Sequence, residues 1–486
     1  MLIAATIAPV AAQPPARPKP NVLFLLADDQ RPDTIHALGN SAIKTPTLDA
    51  LAARGISFRN AYNFGGNSPA VCQPSRNMLL GGRNFFRYSR LENPATGAKF
   101  QPSADDPAAE TKVKSKLAAG FRWNINAPGK GTNFPQAMKA AGYQTYHHGK
   151  RGNTAQAIQA QFEIDKYLKN DEAERRTGEP GREIVDDAIT FLADGRDKSR
   201  PFCMYLAFGN PHDPRVAESR YLAQYDREKI PLPANYLPVH PFDNGELTVR
   251  DERLAPWPRT EDEIRKQLHE YYATITAFDD QLGRLLAKLR ELGLEENTIV
   301  VFSADQGLAM GSHGLMGKQN LYEHSAKSPL VFAGPGIRHG TAEKPLTSDA
   351  LVYLFDIYPT ICDLVGAEVP GSDDAEFDGR SFRSVVAGEK TTHRDSIYCA
   401  YLGVQRTLRD ERYKLFRYPQ SHRVQLFDLA NDPAETSDLS SAPEHQARLA
   451  SMLKRMEQER LRVGDWYPLS AKTAKDDTVD LSKLPK

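Results

Sequence analysis

Short apolar runs alternate along the chain with segments that repeat their apolar residues at helical spacing. The runs NVLFLLA, from Asn21, and PFCMYLAF, from Pro201, are apolar at nearly every position. Such runs are typical of strands buried on both faces of a parallel sheet. Between them, TPTLDALAARG predicts a helix, with Thr45 or Thr47 as its N-cap. This alternation predicts an α/β sheet with helices on both faces.

Two later segments complete the predicted fold. A long helix is predicted from Glu261 to Leu292, where Thr260 and Glu263 have the spacing of a capping box. After about Phe382, short alternating strands such as RYKLFRY and VQLFDL precede a final helix over 446–462. We therefore predict an α/β fold with a large mixed, mostly parallel sheet sandwiched by helices, and a smaller C-terminal antiparallel α+β subdomain.

The N-terminal residues differ from the rest of the chain. Leu2 to Ala12 form an apolar run that ends in small residues, and a proline-rich linker follows. This resembles a secretory signal without its positive leader, so we predict a secreted or periplasmic protein; a disordered N-terminus is the alternative. No later run approaches the ~20 apolar residues that cross a bilayer, so we predict no transmembrane segment. Lys plus Arg and Asp plus Glu number 62 each, which argues against nucleic-acid binding.

The four cysteines are far apart and form no CxxC pair, so the sequence predicts neither a disulfide scaffold nor a zinc site. Cys203, Cys362 and Cys399 lie in apolar strings and are predicted to be core residues. Cys72 is different, because it opens the motif CQPSR. Pro74 suits a first helical turn, and a helix N-terminus favours an anion. Arg76, one turn later, can bind an oxyanion through two nitrogens.

Polar residues follow two of the predicted strands. Asp28 and Asp29 come after NVLFLLA, and Asp305 and Gln306 come after NTIVVFS. Any one of them alone is typical of a turn or cap. Because the carboxyl ends of parallel strands meet at one edge of a sheet, two such clusters instead indicate a joint site. Carboxylate and amide oxygens are the ligands of Ca²⁺ or Mg²⁺.

Taken together, these motifs resemble the formylglycine-dependent type I sulfatases, which are arylsulfatase-like enzymes of the alkaline phosphatase superfamily. The resemblance runs from about residue 20 to 440 and includes the tail LFDLANDPAE. It rests on these blocks: Asp28-Asp29, CQPSR at 72–76, GGR at 81–83, Gly149-Lys150, PHDP at 211–214, SADQG at 303–307, and Lys318. It implies a signal or linker over 1–20, a catalytic domain over 21–385 and a C-terminal subdomain over 386–486.

The resemblance also implies a chemistry for residue 72. In this family a formylglycine-generating enzyme oxidises the motif's cysteine to formylglycine before the chain folds. The hydrated aldehyde of Cys72 would attack the sulfur of a sulfate monoester, form a sulfoenzyme intermediate and then expel sulfate. The implied roles are Ca²⁺ ligands for Asp28, Asp29, Cys72, Asp305 and Gln306; support of the formylglycine for Arg76; neutralisation of sulfate oxygens for Lys150 and Lys318; and proton donation to the leaving oxygen for His212.

The chain departs from the family pattern at two places. The family commonly has Gly-Lys-Trp-His, whereas Lys150 is followed here by Arg-Gly-Asn. The histidine that usually contacts the formylglycine is therefore missing, and Asn153 or His313 could substitute for it. Gln306 stands where Asn or His is usual, so its amide oxygen reaches the metal from a longer arm. The pair His147-His148 is predicted to belong to a strand rather than to the site.

Three interpretations of function remain at this stage. A sulfatase acting on a sulfated carbohydrate or a small sulfate ester is favoured, because three acidic ligands and an amide suit calcium. A phosphonate monoester or phosphodiester hydrolase of the same superfamily is the first alternative, and a non-catalytic glycan-binding relative is the second. Besides His313, the candidates for a sugar-binding subsite, which could equally be ordinary surface or core residues, are Arg122, Trp123, Arg151, Arg215 and Trp257.

Overall fold

An eight-stranded sheet forms the centre of the computed structural model, which describes residues 18–88, 90–93, 95–100, 108–120, 122–124, 132–372 and 377–484. One strand, Leu330–Ala333, is antiparallel to both neighbours, and the other neighbouring strands are parallel. This confirms the predicted mixed, mostly parallel sheet. In spatial order the strands are Leu346–Ser348, Gly55–Phe58, Leu330–Ala333, Thr298–Ala304, Asn21–Ala27, Phe202–Ala207, Gln144–Gly149 and Ile164–Tyr167.

Helices cover both faces of this main sheet. Alternate residues of Asn21–Ala27 enter two different hydrophobic clusters, because successive side chains of a strand point to opposite faces. The predicted long helix spans Glu261–Glu291, and the Thr260 hydroxyl accepts a hydrogen bond from the Glu263 amide at 3.2 Å. The other α-helices before residue 390 are Pro46–Ala53, Cys72–Gly81, Phe85–Tyr88, Ala109–Ala118, Phe134–Ala140, Gln156–Gln159, Asp171–Arg175, Arg182–Thr190, Ser219–Leu222, Glu323–Ala326, Ile357–Val365 and Arg383–Val386.

The C-terminal part forms a second sheet against the helix Gln446–Arg462, which has its predicted bounds. Its strands are Arg423–Asp428, Tyr413–Tyr418, Gln405–Arg409, Ile397–Tyr401 and, parallel at the edge, Gly65–Gly66. The last of these lies six residues before Cys72, so the C-terminal sheet is joined directly to the segment that leads into the CQPSR motif. The boundaries 21–385 and 386–486 stay a prediction.

Two small sheets and several single turns complete the structure. One sheet consists of Lys327–Ser328, Ala61–Tyr62 and Val352–Tyr353, and the other of Lys99–Phe100, Arg90–Glu92 and Arg122–Asn124.

The side chains of Arg122 and Trp123, and residues 1–17 with the predicted signal, lie outside what the structure describes. Among the described helices, none is long and apolar enough to cross a bilayer. The short 3-10 segments are His36–Leu38, Arg227–Lys229, Arg250–Leu254, Glu295–Asn297, Leu354–Asp356, Pro443–His445 and Leu481–Lys483, with one π turn at Phe191–Gly195.

The N-cap position of the helix Pro46–Ala53 is as predicted, but the hydrogen bonds of the cap differ. Thr45 is the N-cap residue, but its hydroxyl donates to Asp49 at 3.0 Å instead of accepting from the first turn. The free amides of Thr47 and Leu48 donate instead to the buried carboxylate of Asp279, each at 2.8 Å. Asp279 lies on the long helix, so this cap is a tertiary contact that local sequence could not reveal.

We expect Asp279→Ala to destabilise the fold, because it leaves two amide donors of a helix N-terminus without an acceptor. The free energy of unfolding should fall by about 2–4 kcal/mol, measured by denaturant titration. Asp280→Ala is the matched control, since this exposed neighbour accepts one bond, from the Tyr221 hydroxyl at 2.8 Å, and should cost about 1 kcal/mol. Equal losses in the two variants would contradict the assigned cap.

Candidate active site

The carboxyl ends of four adjacent strands deliver the polar residues to one edge of the main sheet. Ala27 and Ala304 are register partners on neighbouring parallel strands, so Asp28 and Asp305 follow at the same level. The next two strands, Phe202–Ala207 and Gln144–Gly149, lead to His212 and Lys150. The edge of an α/β sheet where its strands end is the usual position of a binding site.

The helix Cys72–Gly81 brings the cysteine to this edge. Cys72 is its first residue, and the Ser75 hydroxyl anchors the first turn by donating to the backbone carbonyl of Asp305 at 2.6 Å. The thiol donates to Oδ1 of Asp28, with the sulfur 3.1 Å from that oxygen. Gly82 ends the helix with a φ of 68°, a left-handed conformation that favours glycine.

Three buried carboxylates surround the sulfur. One ligand atom from each of Asp28, Asp29, Cys72 and Asp305 lies within 4.8 Å of the others. Gln306 donates from Nε2 to the sulfur at 3.1 Å, whereas its Oε1 is buried and has no hydrogen-bond partner among the described residues. The structure therefore brings together the five residues that were expected to bind a metal.

Three cations balance these carboxylates. Arg76, fully buried, donates from Nε to Asp305 at 2.8 Å, and its Nη2 lies 3.7 Å from Asp28. The Lys150 ammonium pairs with Asp28. Lys318 donates to both carboxylate oxygens of Asp29 at 2.8 Å and to the Cys72 sulfur at 3.2 Å.

The pKa values follow from burial and from these charges. Burial raises the pKa of Asp305 to about 6, with the neighbouring Asp28 carboxylate adding to the rise. Burial alone would also raise the pKa of Asp28, but Lys150 and Arg76 hold it well below its ordinary value. The pKa of the Cys72 thiol is raised well above its ordinary value, first by burial and then by Asp28. An unmodified Cys72 is therefore a thiol at neutral pH and a weak nucleophile.

His212 lies at the open side of the cluster. Its Nδ1 is 2.7 Å from the carbonyl oxygen of Asp213, so the ring donates there and directs Nε2 towards Asp29, 3.7 Å away. Burial lowers the pKa of His212, and the charge of Lys318 adds to the effect. The side chain of His212 is 17% exposed, against 5% for Lys150 and 3% for Lys318, so His212 marks the opening of the site.

The structure contradicts two of the predicted substrate-binding residues. His313 stacks on the ring of Tyr322 with centroids 3.9 Å apart, and its nitrogens face His324 and the carbonyl of Glu435. It therefore neither contacts Cys72 nor replaces the missing histidine. Trp257 is buried in a hydrophobic cluster, with the guanidinium of Arg259 3.7 Å from its ring centroid. Both rings are already covered by protein, and local sequence gives no sign of that.

The remaining candidates lie around the site without touching the sulfur. Arg151 is exposed, and its amide is held by the carboxylate of Asp171 at 2.9 Å. Asn153 is exposed and makes no described contact with Cys72. Arg215 is buried beside Tyr271. His147 lies on the strand Gln144–Gly149, as the sequence predicted, and pairs with Asp165.

Sequence reasoning missed two residues that position the cluster. The hydroxyl of Tyr271, on the long helix, donates to the carbonyl of Asp29 at 2.7 Å and accepts from the amide of Arg31. The carbonyl of Asn210 accepts from the Asp28 amide at 2.8 Å, and both of its side-chain polar atoms are buried without described partners. Asn210 directly precedes the PHDP block, so its role in positioning the cluster could have been suspected. No motif or pattern in the sequence around Tyr271 marks it as part of the site.

Comparison with known proteins identifies the family. The model of the sulfatase family matches residues 20–367, which is more than half of the chain and includes the whole site just described. The chain belongs to the sulfatase family. It is therefore a sulfuric ester hydrolase, and its family generally uses formylglycine and a divalent metal. A second model, described as the C-terminal region of N-sulphoglucosamine sulphohydrolase, matches residues 311–462.

Individual relatives are similar along almost the whole chain. An arylsulfatase of Clostridium perfringens is 26% identical over 464 residues, which cover 90% of this sulfatase and 93% of that protein. A solved structure in complex with its substrate D-glucosamine-2-N,6-O-disulfate has a TM-score of 0.70 at 22% identity. The similarity covers 93% of this chain and 100% of that chain. The phosphonate monoester hydrolase of Agrobacterium radiobacter has a TM-score of 0.69 at 20% identity. The similarity covers 91% of this chain and 96% of that chain. These structures show the shared fold.

Proposed function

We propose that this sulfatase hydrolyses a sulfate monoester of a sulfated carbohydrate, using a formylglycine made from Cys72 and a bound Ca²⁺. The observation that carries the proposal is the position of Cys72, at the start of a buried helix and within 4.8 Å of three carboxylates. An ordinary core cysteine has apolar neighbours, whereas this one contacts charged groups on several sides.

The residues around Cys72 fit a hard divalent cation. Three carboxylates supply oxygen ligands, and the unpaired Oε1 of Gln306 offers a fourth. The charges of the three carboxylates and the three cations cancel. Without a metal ion, the cluster therefore has no net positive charge with which to bind a sulfate anion. Among the described residues, no histidine nitrogen lies close to all three carboxylates at once. Since transition metals prefer imidazole ligands, this favours calcium.

The proposed modification agrees with the burial of residue 72. Cys72 is 1% exposed, so a modifying enzyme could not reach it in the folded chain, and a formylglycine-generating enzyme would act before folding. When present, hydrated formylglycine supplies an oxygen nucleophile in place of the protonated thiol, and calcium supplies positive charge beside it.

The side chains of this protein bind and orient the ester. With a divalent cation at Asp28 and Asp29, Lys150 and Lys318 can direct their ammonium groups at the sulfate oxygens. Arg76 fixes the carboxylates of Asp28 and Asp305 and so orients the group at position 72. The Nδ1–H of His212 donates to a backbone carbonyl, so the doubly protonated ring is the form that carries a proton on Nε2 and can give it to the leaving oxygen.

A sulfated sugar is the proposed substrate class. A relative of the same fold binds a sulfated glucosamine, and the C-terminal region matches the model named after N-sulphoglucosamine sulphohydrolase. The oxygen of a sugar hydroxyl is a poor leaving group unless it is protonated. The position of His212 at the opening of the site agrees with such a substrate. Export to the periplasm or medium, where such sugars occur, is part of the proposal.

The alternative of a phosphonate monoester or phosphodiester hydrolase is supported by similarity of fold. The Agrobacterium radiobacter enzyme shares the fold at a TM-score of 0.69. The oxygen-rich donor set argues for sulfate chemistry, as does the membership of the sulfatase family. A non-catalytic role is less favoured, because Cys72, Arg76, Lys150, His212 and Lys318 are all retained and converge.

We expect the purified protein, supplied with calcium, to hydrolyse 4-nitrophenyl sulfate faster than an aryl phosphonate monoester. Cys72→Ala should lower this turnover by at least about 10³-fold, because it removes the nucleophile. Cys399→Ala is the matched control, since it removes a buried thiol of a hydrophobic cluster that contains none of the site residues, and it should keep turnover. The mass of the peptide with residue 72 reports conversion. Faster phosphonate hydrolysis, or turnover by Cys72→Ala, would contradict the proposal.

We expect His212→Gln to slow poor leaving groups selectively. The kcat for a sugar sulfate should fall about 10²–10⁴-fold, because its alcohol needs a proton to depart. The kcat for 4-nitrophenyl sulfate should fall much less, because nitrophenolate leaves without one. Measurement of kcat for both substrates tests this role, and His269→Gln serves as control, because the His269 ring faces the Leu222 carbonyl and has no described contact with the cluster. An equal loss on both substrates would argue against proton donation.

We expect calcium to bind the protein and raise its thermal unfolding temperature. A ligand at 100 times its Kd stabilises the folded state by about 2.7 kcal/mol, so the shift is measurable by calorimetry without any turnover. Asp29→Asn should weaken the shift, whereas Asp280→Asn, on the exposed face of the long helix, should keep it. A larger shift with Mn²⁺ or Zn²⁺ than with Ca²⁺ would contradict the calcium assignment.

A further inference from the structure

One short turn contacts the segments that carry Cys72, His212 and Lys318. It is the 3-10 segment Arg250–Leu254, which begins with three charged residues in a row. The side chain of the first, an arginine, is 59% exposed, whereas the two acidic residues after it are buried. Buried carboxylates are costly unless they are paired, so their partners indicate what this turn holds.

Glu252 fixes the backbone that leads to Lys318. Its carboxylate accepts hydrogen bonds from the amides of Met316 and Gly317, at 3.0 and 2.9 Å. The guanidinium of Arg259 balances its charge, with Nη2 2.7 Å from the carboxylate. These bonds end one residue before the lysine, so the turn sets the point from which the lysine side chain extends.

Asp251 faces the ammonium group of Lys318 itself. The Nζ atom lies 4.0 Å from Oδ2 of Asp251, and the same oxygen accepts from Nε2 of Gln319 at 2.8 Å. This Nε2 also donates to the carbonyl of Pro69 at 2.9 Å, three residues before Cys72. The turn is therefore tied to the sulfate-binding lysine and to the segment that leads into the nucleophile.

Arg250 connects the turn to the proton donor. Its guanidinium pairs with both carboxylate oxygens of Asp213, and its Nη1 also donates to Asp251 at 2.9 Å. Asp213 directly follows His212, whose Nδ1 is 3.4 Å from the Asp213 carboxylate and 2.7 Å from its backbone oxygen. One guanidinium thus joins a carboxylate beside the proton donor to a carboxylate beside the sulfate-binding lysine.

This arrangement differs from an ordinary surface ion pair. The carboxylates of Asp213 and Asp251 are only 10% and 6% exposed, and only a planar guanidinium can hold two oxygens of one of them and bond the other. Arg253, in the same turn, provides a contrast, because it is exposed and donates to the Thr248 carbonyl at 3.3 Å.

We propose that Arg250 is a positioning residue for sulfate ester hydrolysis. By joining Asp213 and Asp251, it holds the ring of His212 at a fixed place relative to the bound sulfate, so that the proton donor stays beside the leaving oxygen. In the described structure Arg250 makes no hydrogen bond or ion pair with His212, so it acts through Asp213. This inference rests on the proposed function, because it takes His212 as the proton donor.

The test is a double-mutant cycle measured with phenyl sulfate, which has a poor leaving group, and 4-nitrophenyl sulfate, which has a good one. Arg250→Met should lower kcat about tenfold or more for phenyl sulfate and less than about threefold for 4-nitrophenyl sulfate. The second loss is small because Asp251 keeps its bond from Gln319. In the His212→Gln background, Arg250→Met should cause no further selective loss, because the proton donor is already absent.

A merely structural role of Arg250 would lower kcat in both backgrounds alike, and 4-nitrophenyl sulfate turnover reports that each variant is folded. Arg253→Met is the matched control and should keep kcat for both substrates. Arg250→Lys should restore only part of the phenyl sulfate rate, because one ammonium group cannot hold both carboxylates.

An equal loss on both substrates in Arg250→Met, or the same selective loss with His212 already replaced, would overturn the positioning role. Two other results would instead count against the proposed function: no hydrolysis of either aryl sulfate by the wild-type protein, or no selective loss in His212→Gln alone.

Discussion

The burial of three carboxylates at one sheet edge is the constraint on which the rest of the site depends. Two like charges 4 Å apart repel by about 4 kcal/mol at an effective dielectric constant of 20, so Asp28, Asp29 and Asp305 require cations nearby. The chain supplies them from three separate elements: the helix after Cys72, the end of a neighbouring strand and a later loop. The need for charge balance therefore ties distant parts of the chain to one point.

Arg76 takes part in this balance at two of the three carboxylates. Its guanidinium is fully buried, and it reaches Asp305, Asp28 and the carbonyl of Phe208 at once. A lysine offers a single ammonium and could not bridge all three. Because Arg76 lies one turn after Cys72 on the same helix, the contacts that neutralise the carboxylates also fix the position of residue 72. Charge balance and nucleophile placement are thus one structural requirement.

The sequence was informative wherever the determinant is local. Asp28 and Asp305 could be assigned to one edge because each directly follows a buried apolar strand, and Cys72 stood out by its motif. The errors concern contacts between distant segments. His313 and Trp257 are covered by Tyr322 and Arg259, and the acceptor for the first turn of Pro46–Ala53 comes from a helix more than 200 residues later. No local pattern encodes such partners.

The C-terminal sheet has a direct role in positioning the loop that carries Lys318. Five residues after Lys318, at the start of the helix Glu323–Ala326, the amide of Glu323 donates to the carboxylate of Glu435 at 2.7 Å. The Glu323 carboxylate pairs with Lys414 and Arg409. Glu435 lies in the tail motif LFDLANDPAE, and Lys414 bridges both glutamates. This buried network holds the loop between the two sheets. The tail motif therefore belongs to the architecture of the active site, although none of its residues contacts Cys72 in the described structure.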